Sequence, residues 1–287
     1  MSVLEETKYL MKKYKIKANK SLGQNFLIDD TVIENIVGGA SIGKDDLVIE
    51  IGPGLGSMTA LLVEKAKKVI CIELDKKMIK ILNDRFIAYN NIELINEDVL
   101  KLDLNKLIKQ EKEQNKIKDV KIVANLPYYI STPIIMKLLE NRLDIDEIIV
   151  MVQKEVAERL TAKTGTRLAG AITYAVEYYS DATSIIKVPK ESFVPSPKVE
   201  SEVIKLKVRK GKKIQVKDEK LLFNIISKSF MQRRKTLSNV LTNNNIMHSK
   251  EDVKNMWKEL EIDENVRGES LTLEQFGKIA DYISEKK

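Results

Sequence analysis

The residues best suited to chemistry form a short run, Asn125-Leu126-Pro127-Tyr128, directly after an apolar stretch. An aromatic amine is a poor nucleophile, because its lone pair is delocalised into the ring. The side-chain oxygen of Asn125 and the carbonyl of Leu126 can each accept one N–H, which brings that lone pair out of the ring plane. Pro127 stiffens the turn so that both acceptors are preorganised, and Tyr128 offers a face for base stacking. The run indicates alkylation of an adenine-like amine, although a tight turn that ends a strand would also account for it.

A glycine-rich loop over residues 52–56 follows an earlier apolar stretch. Gly52 and Gly54 let the backbone turn sharply and approach a ligand closely. A dinucleotide fingerprint has its third glycine one position later, where Ser57 stands, so the spacing argues against NAD. The preceding Glu50 would repel phosphates and suits a cationic amino-acid group. The loop alone is weak support for a site, since such turns also occur as purely structural elements.

Two carboxylates follow the next two apolar stretches along the chain. Glu73 ends the second stretch, where a carboxylate can accept hydrogen bonds from both ribose hydroxyls of a nucleoside, although it could equally be a charge at a helix N-terminus. Asp98 follows the third stretch and can accept a hydrogen bond from an adenine amine. Three successive strand ends with a glycine loop and two carboxylates describe an adenosine-shaped pocket.

The elements that must position these residues are short β-branched runs alternating with amphipathic stretches. They lie at 47–51, 69–73, 92–95, 120–124 and 148–152. Such runs are typical of strands buried on both faces of a parallel sheet. Two further runs, 182–188 and 202–208, flank a proline-rich loop and predict an antiparallel pair at the end of the sheet. The fold class is therefore α/β, with a mostly parallel, Rossmann-like sheet and an antiparallel end strand.

The pattern changes after residue 208, and the chain is expected to contain two domains. Residues 1–208 form the predicted catalytic domain, which includes a basic N-terminal segment at 1–20. A predicted linker spans 209–216. Residues 217–287 show helical periodicity without proline and predict a small all-helical domain that binds RNA.

Charge is distributed unevenly along the sequence. The net charge is +7, and residues 205–235 contain twelve Lys or Arg against Asp218 and Glu219. Such segregation suits a polyanionic partner such as nucleic acid. The alternative is a solvated lysine-rich face with no partner.

Several classes of protein are excluded by composition. A single cysteine, Cys71, excludes a disulfide scaffold and indicates a reducing compartment. The single histidine, His248, has no neighbours at ligand spacing, so no metal site is expected. Residues 1–20 are charged and lack the apolar stretch of a secretory signal, and no segment is apolar enough to span a bilayer. We therefore expect a cytoplasmic protein with no membrane partner.

With these motifs placed, the chain resembles the ribosomal RNA adenine dimethyltransferase family over nearly its whole length. The segments that carry the resemblance are 21–27, 50–56, 72–75, 97–100, 125–131, 153–159, 193–199 and 232–237. Asn-Leu-Pro-Tyr marks amine methyltransferases in general, whereas its combination with Gln-Asn-Phe-Leu and Phe-x-Pro-x-Pro-x-Val is far more specific. The chain departs from the family at Ala169, where an aromatic residue usually precedes the glycine.

The resemblance implies a class I methyltransferase fold and S-adenosylmethionine as cofactor. It implies a cofactor site lined by Asn25, Leu27, Gly52, Gly54, Glu73, Asp98 and Asn125. Phe193 would close on the target base opposite Tyr128, and RNA would be bound by Arg233, Arg234 and Lys235. The implied substrate is 16S rRNA within an immature small ribosomal subunit, where two adjacent adenosines near the 3′ end each receive two methyl groups during ribosome biogenesis. We expect the enzyme to act as a monomer.

Two other functions remain open at this stage. A macrolide-resistance methyltransferase acting on large-subunit rRNA would share the pocket, but the 233–237 segment and the long helical tail favour the small-subunit enzyme. The other is a non-catalytic RNA-binding assembly or transcription factor that keeps the fold. The intact Asn125, Pro127 and Tyr128 argue against loss of catalysis.

Overall fold

The structure, a computed structural model, describes residues 1–19 and 22–286. Lys20, in the predicted basic segment, Ser21, in one of the motifs that carry the resemblance, and Lys287 lie outside the described residues. Contacts divide the chain into two compact units. Unit 1 comprises Met1–Ala157 and Asp181–Val208, and unit 2 comprises Glu158–Ser180 and Arg209–Lys287.

Helices and strands alternate through the first two thirds of the chain, and helices alone follow. The strands are β1 (Phe26–Leu27), β2 (Leu47–Ile51), β3 (Lys68–Ile72), β4 (Ile92–Ile95), β5 (Val120–Asn125), β6 (Glu147–Gln153), β7 (Ser180–Val188), β8 (Phe193–Val194) and β9 (Ser201–Val208). The helices are α1 (Val3–Lys13), α2 (Asp30–Gly39), α3 (Ser57–Lys65), α4 (Lys76–Arg85), α5 (Leu104–Asn115), α6 (Ser131–Glu140), α7 (Lys154–Thr161), α8 (Ala171–Tyr179), α9 (Glu219–Met231), α10 (Leu237–Asn243), α11 (Lys250–Leu260) and α12 (Leu273–Glu285).

The sheet of unit 1 has seven strands in the order β4–β3–β2–β5–β6–β9–β7. Strands β2 to β6 pair in parallel, and β9 runs antiparallel to β6. Every residue of β2 is buried, as expected for a strand covered by helices on both faces. The predicted α/β fold with a mostly parallel sheet is confirmed, and β7 and β9 are neighbours at its end.

The strand order reverses at β2, and this reversal brings the predicted site residues together. The chain runs outward from β2 to β3 and β4, and then returns to place β5 on the other side of β2. Ile51 is in register with Ile72 of β3 and with Ala124 of β5. The next residues, Gly52, Glu73 and Asn125, therefore emerge side by side at the carboxyl edge, where open α/β sheets bind ligands.

Two elements of unit 1 were not predicted from the sequence. Strands β1 and β8 form a separate antiparallel ribbon in which Leu27 is opposite Phe193. Helix α1 occupies much of the basic N-terminal segment and begins with a capping box, in which Ser2 accepts from the Glu5 N–H and Glu5 accepts from the Ser2 N–H. Most of its residues are charged or polar, and the buried ones are Thr7 and Leu10.

Unit 2 extends beyond the predicted C-terminal domain, because it includes residues 158–180. The reason lies in the aromatic side chains of α8. Tyr174 packs against Phe230 and Phe276 with ring centroids 5.3 and 5.2 Å apart, and its hydroxyl donates to the Leu271 carbonyl at 2.6 Å. Helix α8 thus shares a core with α9 and α12 rather than with the sheet.

The segment predicted as a linker, 209–216, is held against α8. The Arg209 N–H donates to the Tyr179 carbonyl at 2.8 Å, and its guanidinium donates to the carbonyls of Glu177 and Ser180. The segment is therefore part of unit 2. Among the helices that the structure describes, none is both long and apolar enough to cross a bilayer.

Candidate active site

A cavity of about 1080 Å³, including the space at its open mouth, lies in unit 1 at the carboxyl edge of the sheet. All seven residues predicted to bind the cofactor line it, together with Leu126, Pro127 and Tyr128. Other lining residues were not predicted to bind the cofactor, although they lie in or next to the motifs. They include Gln24, Phe26, Leu55, Ser57, Glu97 and Tyr129.

The glycine-rich loop forms one wall of the cavity. Gly52, Gly54 and Gly56 have φ angles of 70°, 59° and 84°, a region that other residues rarely adopt. A Cβ at Gly56 would lie 2.7 Å from the Phe86 ring, so the loop packs tightly on that side. At Gly52 a Cβ would meet only the Asn125 carbonyl, at 3.8 Å. The missing side chain at Gly52 therefore leaves open the space between the loop and β5.

Glu73 stands at the end of β3 with its carboxylate turned to the loop. Its Oε2 accepts from the Gly54 N–H at 3.2 Å, and its Oε1 accepts from the Asp75 N–H at 2.8 Å. The residue is only 8% exposed, and burial raises the pKa of its carboxyl. Since each carboxylate oxygen has two lone pairs, both oxygens can accept further hydrogen bonds from a ligand in the cavity.

Asp98 lines the cavity beyond the end of β4. Its Oδ1 accepts from the Leu100 N–H at 2.9 Å, which fixes the side chain in a turn. The nearby Asn96 amide donates to the Glu73 carbonyl at 2.8 Å, so the ends of β3 and β4 are tied together. The two carboxylates are thus set at neighbouring strand ends, as the sequence predicted.

The Asn125 side chain is oriented by a residue that directly precedes β1. Its Nδ2 donates to the Asn25 carbonyl at 3.2 Å. Because the amide nitrogen is used in this way, the amide oxygen is the atom that remains to accept a hydrogen bond. The Leu126 N–H donates to the Met151 carbonyl at 3.2 Å, which anchors the turn to β6.

Tyr128 is fixed at its far end by a residue that sequence reasoning missed. Its hydroxyl is 2.7 Å from Ser201 Oγ, at the start of β9, and Ser131 Oγ donates to its carbonyl at 3.2 Å. Burial raises the pKa of the Tyr128 hydroxyl, so it remains a neutral partner of Ser201. Ser201 comes two residues after the Phe193–Val199 motif, and this proximity is the signal that could have identified it.

Two predicted roles are not matched by the positions of the residues. Phe193, expected to face Tyr128 across the target base, is 2% exposed and packs in the core of unit 1 with Leu27 and Val188. Leu27, its partner in the ribbon, lines the cavity, whereas Phe193 is not among the described residues that line it. Glu50, expected to suit a cationic group, has no exposed surface.

Glu50 lies beneath the glycine loop instead of beside the cavity. Its Oε2 accepts from Thr59 Oγ1 at 2.6 Å and from Cys71 Sγ at 3.6 Å, while its buried Oε1 has no hydrogen-bond partner in the described part of the chain. Burial raises the pKa of this carboxyl to about 7. Alternation along β2 explains the correction, because Glu50 points to the opposite face from the residue that follows it.

Helix α1 packs against residues of the cavity wall. Leu10 belongs to a cluster with Phe26 and Leu55, both of which line the cavity. The Arg85 guanidinium pairs with Glu6 of α1 at 2.5 Å and also donates to the Leu55 carbonyl in the glycine loop. The helix and the loop are therefore joined through one side chain.

The three predicted RNA-binding residues lie in a turn between α9 and α10, residues 232–235, which we call the basic turn. Arg233 pairs with Glu269, donating to Oε2 at 3.0 and 2.7 Å, and its guanidinium lies 5.5 Å from the Phe230 ring centroid. Arg234 and Lys235 are exposed. All three cations of the turn are therefore exposed, and Arg233 is held in an ion pair.

Several cations at 205–235 form ion pairs, and most of their acidic partners lie outside the segment. Lys205 pairs with Glu147 in unit 1. In unit 2, Lys212, Lys213 and Lys217 pair with Glu219, Glu177 and Glu285. The charge excess seen in the sequence therefore overstates the surface charge of this region.

The residues around the cavity fit a nucleoside cofactor that carries a cationic sulfur. The buried carboxylate of Glu73 and the carboxylate of Asp98 suit the hydroxyls and the amine of an adenosine. The loop at Gly52 and Gly54 leaves space for a ligand close to the backbone. Among the described residues that line the cavity there is no cluster of cations, which a pyrophosphate would need. Leu27 and Leu55 supply the apolar part of the wall.

Comparisons with known proteins agree on one family. A family model described as "Ribosomal RNA adenine dimethylase" matches residues 15–285. "Ribosomal RNA small subunit methyltransferase A" of Lachnoclostridium phytofermentans is 48% identical over 284 residues, which cover 98% of this chain and 97% of that protein. The protein of the same name from Alkaliphilus oremlandii is 46% identical over 282 residues, with the same coverage.

Solved structures with lower sequence identity share the fold of this chain. A dimethyladenosine transferase from Plasmodium falciparum is 27% identical, with a TM-score of 0.74 over 91% of this chain and 98% of that chain. The 23S rRNA methyltransferase ErmE is 21% identical, with a TM-score of 0.66 over 91% of this chain and all of that one. The second likeness shows the fold alone.

Proposed function

The chain belongs to the ribosomal RNA adenine dimethylase family, and we propose that it transfers methyl groups from S-adenosylmethionine to adenine amines of small-subunit ribosomal RNA. The target that we propose is a pair of adjacent adenosines near the 3′ end of 16S rRNA, in an immature small subunit in the cytoplasm. The relatives that are 46–48% identical carry the small-subunit name, which favours this substrate over large-subunit rRNA.

The cofactor would occupy the cavity of unit 1. S-adenosylmethionine supplies a methyl group made electrophilic by its positively charged sulfur. Glu73 would accept hydrogen bonds from the ribose hydroxyls, and Asp98 would accept one from the adenine amine. Gly52 and Gly54 would allow close approach of the cofactor to the backbone. Asn25 and Leu27 would close the cavity from the side of β1.

The Asn125 turn would prepare the substrate amine for attack. Asn125 Oδ1 and the Leu126 carbonyl would each accept one N–H of the target amine, so that the nitrogen becomes pyramidal and its lone pair, no longer delocalised into the ring, points to the methyl group. The N–C bond would form as the S–C bond breaks, which leaves a neutral thioether. The donation from Asn125 Nδ2 to the Asn25 carbonyl at 3.2 Å supports this role, because it determines which amide atom faces the substrate. The alkylated amine is acidic and releases its proton without a strong base.

Tyr128 would hold the target base in place. Its ring is fixed by the 2.7 Å hydrogen bond to Ser201, so it can act as a preorganised stacking surface. Phe193 is not included in this proposal, because its ring lies in the core. Since an amine inside a helix is out of reach, the adenine must leave the stack before it reacts.

The observation that carries the proposal is the convergence of Glu73, Asp98 and the Asn125 turn on one cavity. The test is transfer of labelled methyl groups from S-adenosylmethionine to purified rRNA-containing particles. We expect incorporation into small subunits from cells that lack the dimethylation, and none into large-subunit rRNA. Asn125→Ala should reduce the rate of methyl transfer by about 10²-fold or more, because the amine loses an oriented acceptor.

Controls separate catalysis from binding. Asn125→Ala should change the affinity for small subunits far less than the transfer rate, since the turn contacts only one base. Glu34→Gln, an exposed change on α2, should leave both unchanged. Methylation of large-subunit rRNA in preference to small subunits would contradict the proposed substrate, and near-normal turnover by Asn125→Ala would contradict the mechanism.

A further inference from the structure

Two large apolar side chains of unit 2 are exposed near the basic turn. Leu168 is 64% exposed, and Met231, the last residue of α9, is 73% exposed. A single exposed apolar residue is ordinary on a protein surface. Two exposed apolar side chains with cations nearby, however, suit a partner that has both apolar and anionic groups.

The segments that carry these two side chains are held together by Arg233. Its Nη2 donates to the Arg167 carbonyl at 3.0 Å, while the same guanidinium pairs with Glu269. Arg167 directly precedes Leu168, and Arg233 follows Met231 by two positions. Leu168 and Met231 are therefore presented from adjoining segments of one surface.

Both segments are ordered by hydrogen bonds and burial. Ala169 is fully buried, and its N–H donates to the Thr166 carbonyl at 3.0 Å, which closes a turn that contains the exposed Leu168. In the basic turn the Lys235 N–H donates to the Gln232 carbonyl at 2.8 Å. Ala169, where the family usually has an aromatic residue, is therefore a packing position, and Leu168 is the outward one.

Charge decides which partner fits this surface. Arg167, Arg234 and Lys235 are exposed around the apolar pair. Glu269, an acidic residue of the same cluster, is engaged by Arg233. RNA combines phosphates, which bind cations, with unstacked bases, whose faces and edges accept apolar side chains. Leucine and methionine are among the side chains that insert between bases in nucleic-acid complexes.

We infer that Leu168 and Met231 are an apolar RNA-contact surface, which packs against unstacked bases of the substrate while Arg167, Arg234 and Lys235 bind the flanking phosphates. This inference rests on the proposed function and adds to it a contact in unit 2 that carries no charge. An apolar contact has a distinct signature, because it contributes affinity without releasing counterions.

The experiment measures binding of the full chain to small ribosomal subunits that lack the dimethylation, at several salt concentrations. Leu168→Ser with Met231→Ser should weaken binding about tenfold at every salt concentration, with the salt slope unchanged. Arg234→Gln with Lys235→Gln should reduce the slope of log affinity against log salt by about 0.7–0.9 for each phosphate that is no longer bound. Ile87→Ser, which alters an 85% exposed side chain of unit 1, is the matched apolar control and should bind as wild type.

Each result has a definite meaning. The inference is overturned if the Leu168/Met231 double variant binds as tightly as wild type, or if Ile87→Ser weakens binding equally. Binding and methylation by the wild-type protein show separately that the proposed function holds. A wild-type protein that neither binds nor methylates small subunits overturns the proposed function and the inference with it. S-adenosylmethionine affinity and the thermal unfolding midpoint should be unchanged in all the variants, which together confirm that both units fold.

Discussion

In the proposed cofactor site, Glu73 would serve as a charged acceptor although it is almost fully buried. Backbone N–H groups of Gly54 and Asp75 help to hold the carboxylate, yet burial still raises its pKa above that of an ordinary glutamate. A carboxyl that becomes protonated can accept fewer hydrogen bonds from ribose hydroxyls. The affinity for the cofactor should therefore depend on the ionisation of this one residue.

S-adenosylmethionine binding is predicted to weaken as the pH is lowered from neutral into the acidic range, where Glu73 takes up a proton. A raised pKa means that Glu73 takes up a proton at a higher pH than an exposed glutamate, so the weakening begins early. Glu73→Ala should weaken binding by about 1.5–3 kcal/mol for each charged hydrogen bond that it removes. Calorimetry across this pH range tests both points. A Glu73→Gln variant with the same pH dependence as wild type would show that another group is responsible.

A second prediction concerns stability, because Glu50 is buried with a pKa of about 7. Its ionisation is disfavoured in the folded state, so the folding stability associated with its raised pKa is present below about pH 4.5 and is lost as the pH rises through 7. Glu50→Gln removes this pH dependence. The stability of the variant relative to wild type should rise by about 2 kcal/mol between pH 5 and pH 8. Denaturant unfolding at both pH values measures it, and an equal difference at both would refute it.

Residue type predicted a position in the site where a polar residue directly follows a strand. Glu73, Asp98 and Asn125 could be predicted because each follows an apolar run, and parallel strands bring such ends together. Glu50 could not be placed correctly from its position beside the loop, since the two faces of a fully buried strand look alike in sequence. Ser201 was missed because its partner, Tyr128, is distant in the chain.

At the scale of elements, the register of β2 with β3 and β5 builds the cavity, and packing from outside the sheet completes it. The sequence predicted strands β2 to β6 because they are continuous apolar runs. It did not predict α1, whose buried residues are few, or the ribbon of β1 and β8, because two-residue strands have no periodicity. The burial of Phe193 in the core of unit 1 could not be predicted either, because it depends on contacts between distant segments.

The link between α1 and the glycine loop is predicted to support cofactor binding. Arg85→Met keeps the aliphatic stem but removes the guanidinium that bonds Glu6 and the Leu55 carbonyl. We expect S-adenosylmethionine affinity to fall about three- to tenfold, as for removal of one or two modest charged interactions near the surface, with the transfer rate at saturating cofactor close to normal. Tyr14→Phe is the control, because its hydroxyl bonds Asp84 and does not reach the loop. An equal effect of both variants would indicate a general loosening of α1.

At the scale of the whole molecule, the proposed function is divided between a cavity in unit 1 and a basic surface in unit 2. The sequence predicted this division, but it could not assign residues 158–180 to unit 2, because the aromatic contacts of Tyr174 join segments far apart in the chain. Nor could it show which cations are paired. The excess of lysine and arginine at 205–235 is partly offset by Glu147, Glu177 and Glu285, which lie outside the segment.

Arg233 and Arg234 are adjacent in sequence, yet they are predicted to act differently. Arg233 bonds Glu269 and the Arg167 carbonyl, so Arg233→Gln should lower the free energy of unfolding by about 0.5–1 kcal/mol, with only a small change in the salt slope of RNA binding. Arg234 is exposed, so Arg234→Gln should leave stability unchanged and reduce that slope by about 0.7–0.9 if it binds one phosphate. Thermal unfolding and binding to small subunits at several salt concentrations measure the two effects on the same preparations. A loss of stability in Arg234→Gln, or a salt slope that depends on Arg233 as strongly as on Arg234, would contradict this difference in roles.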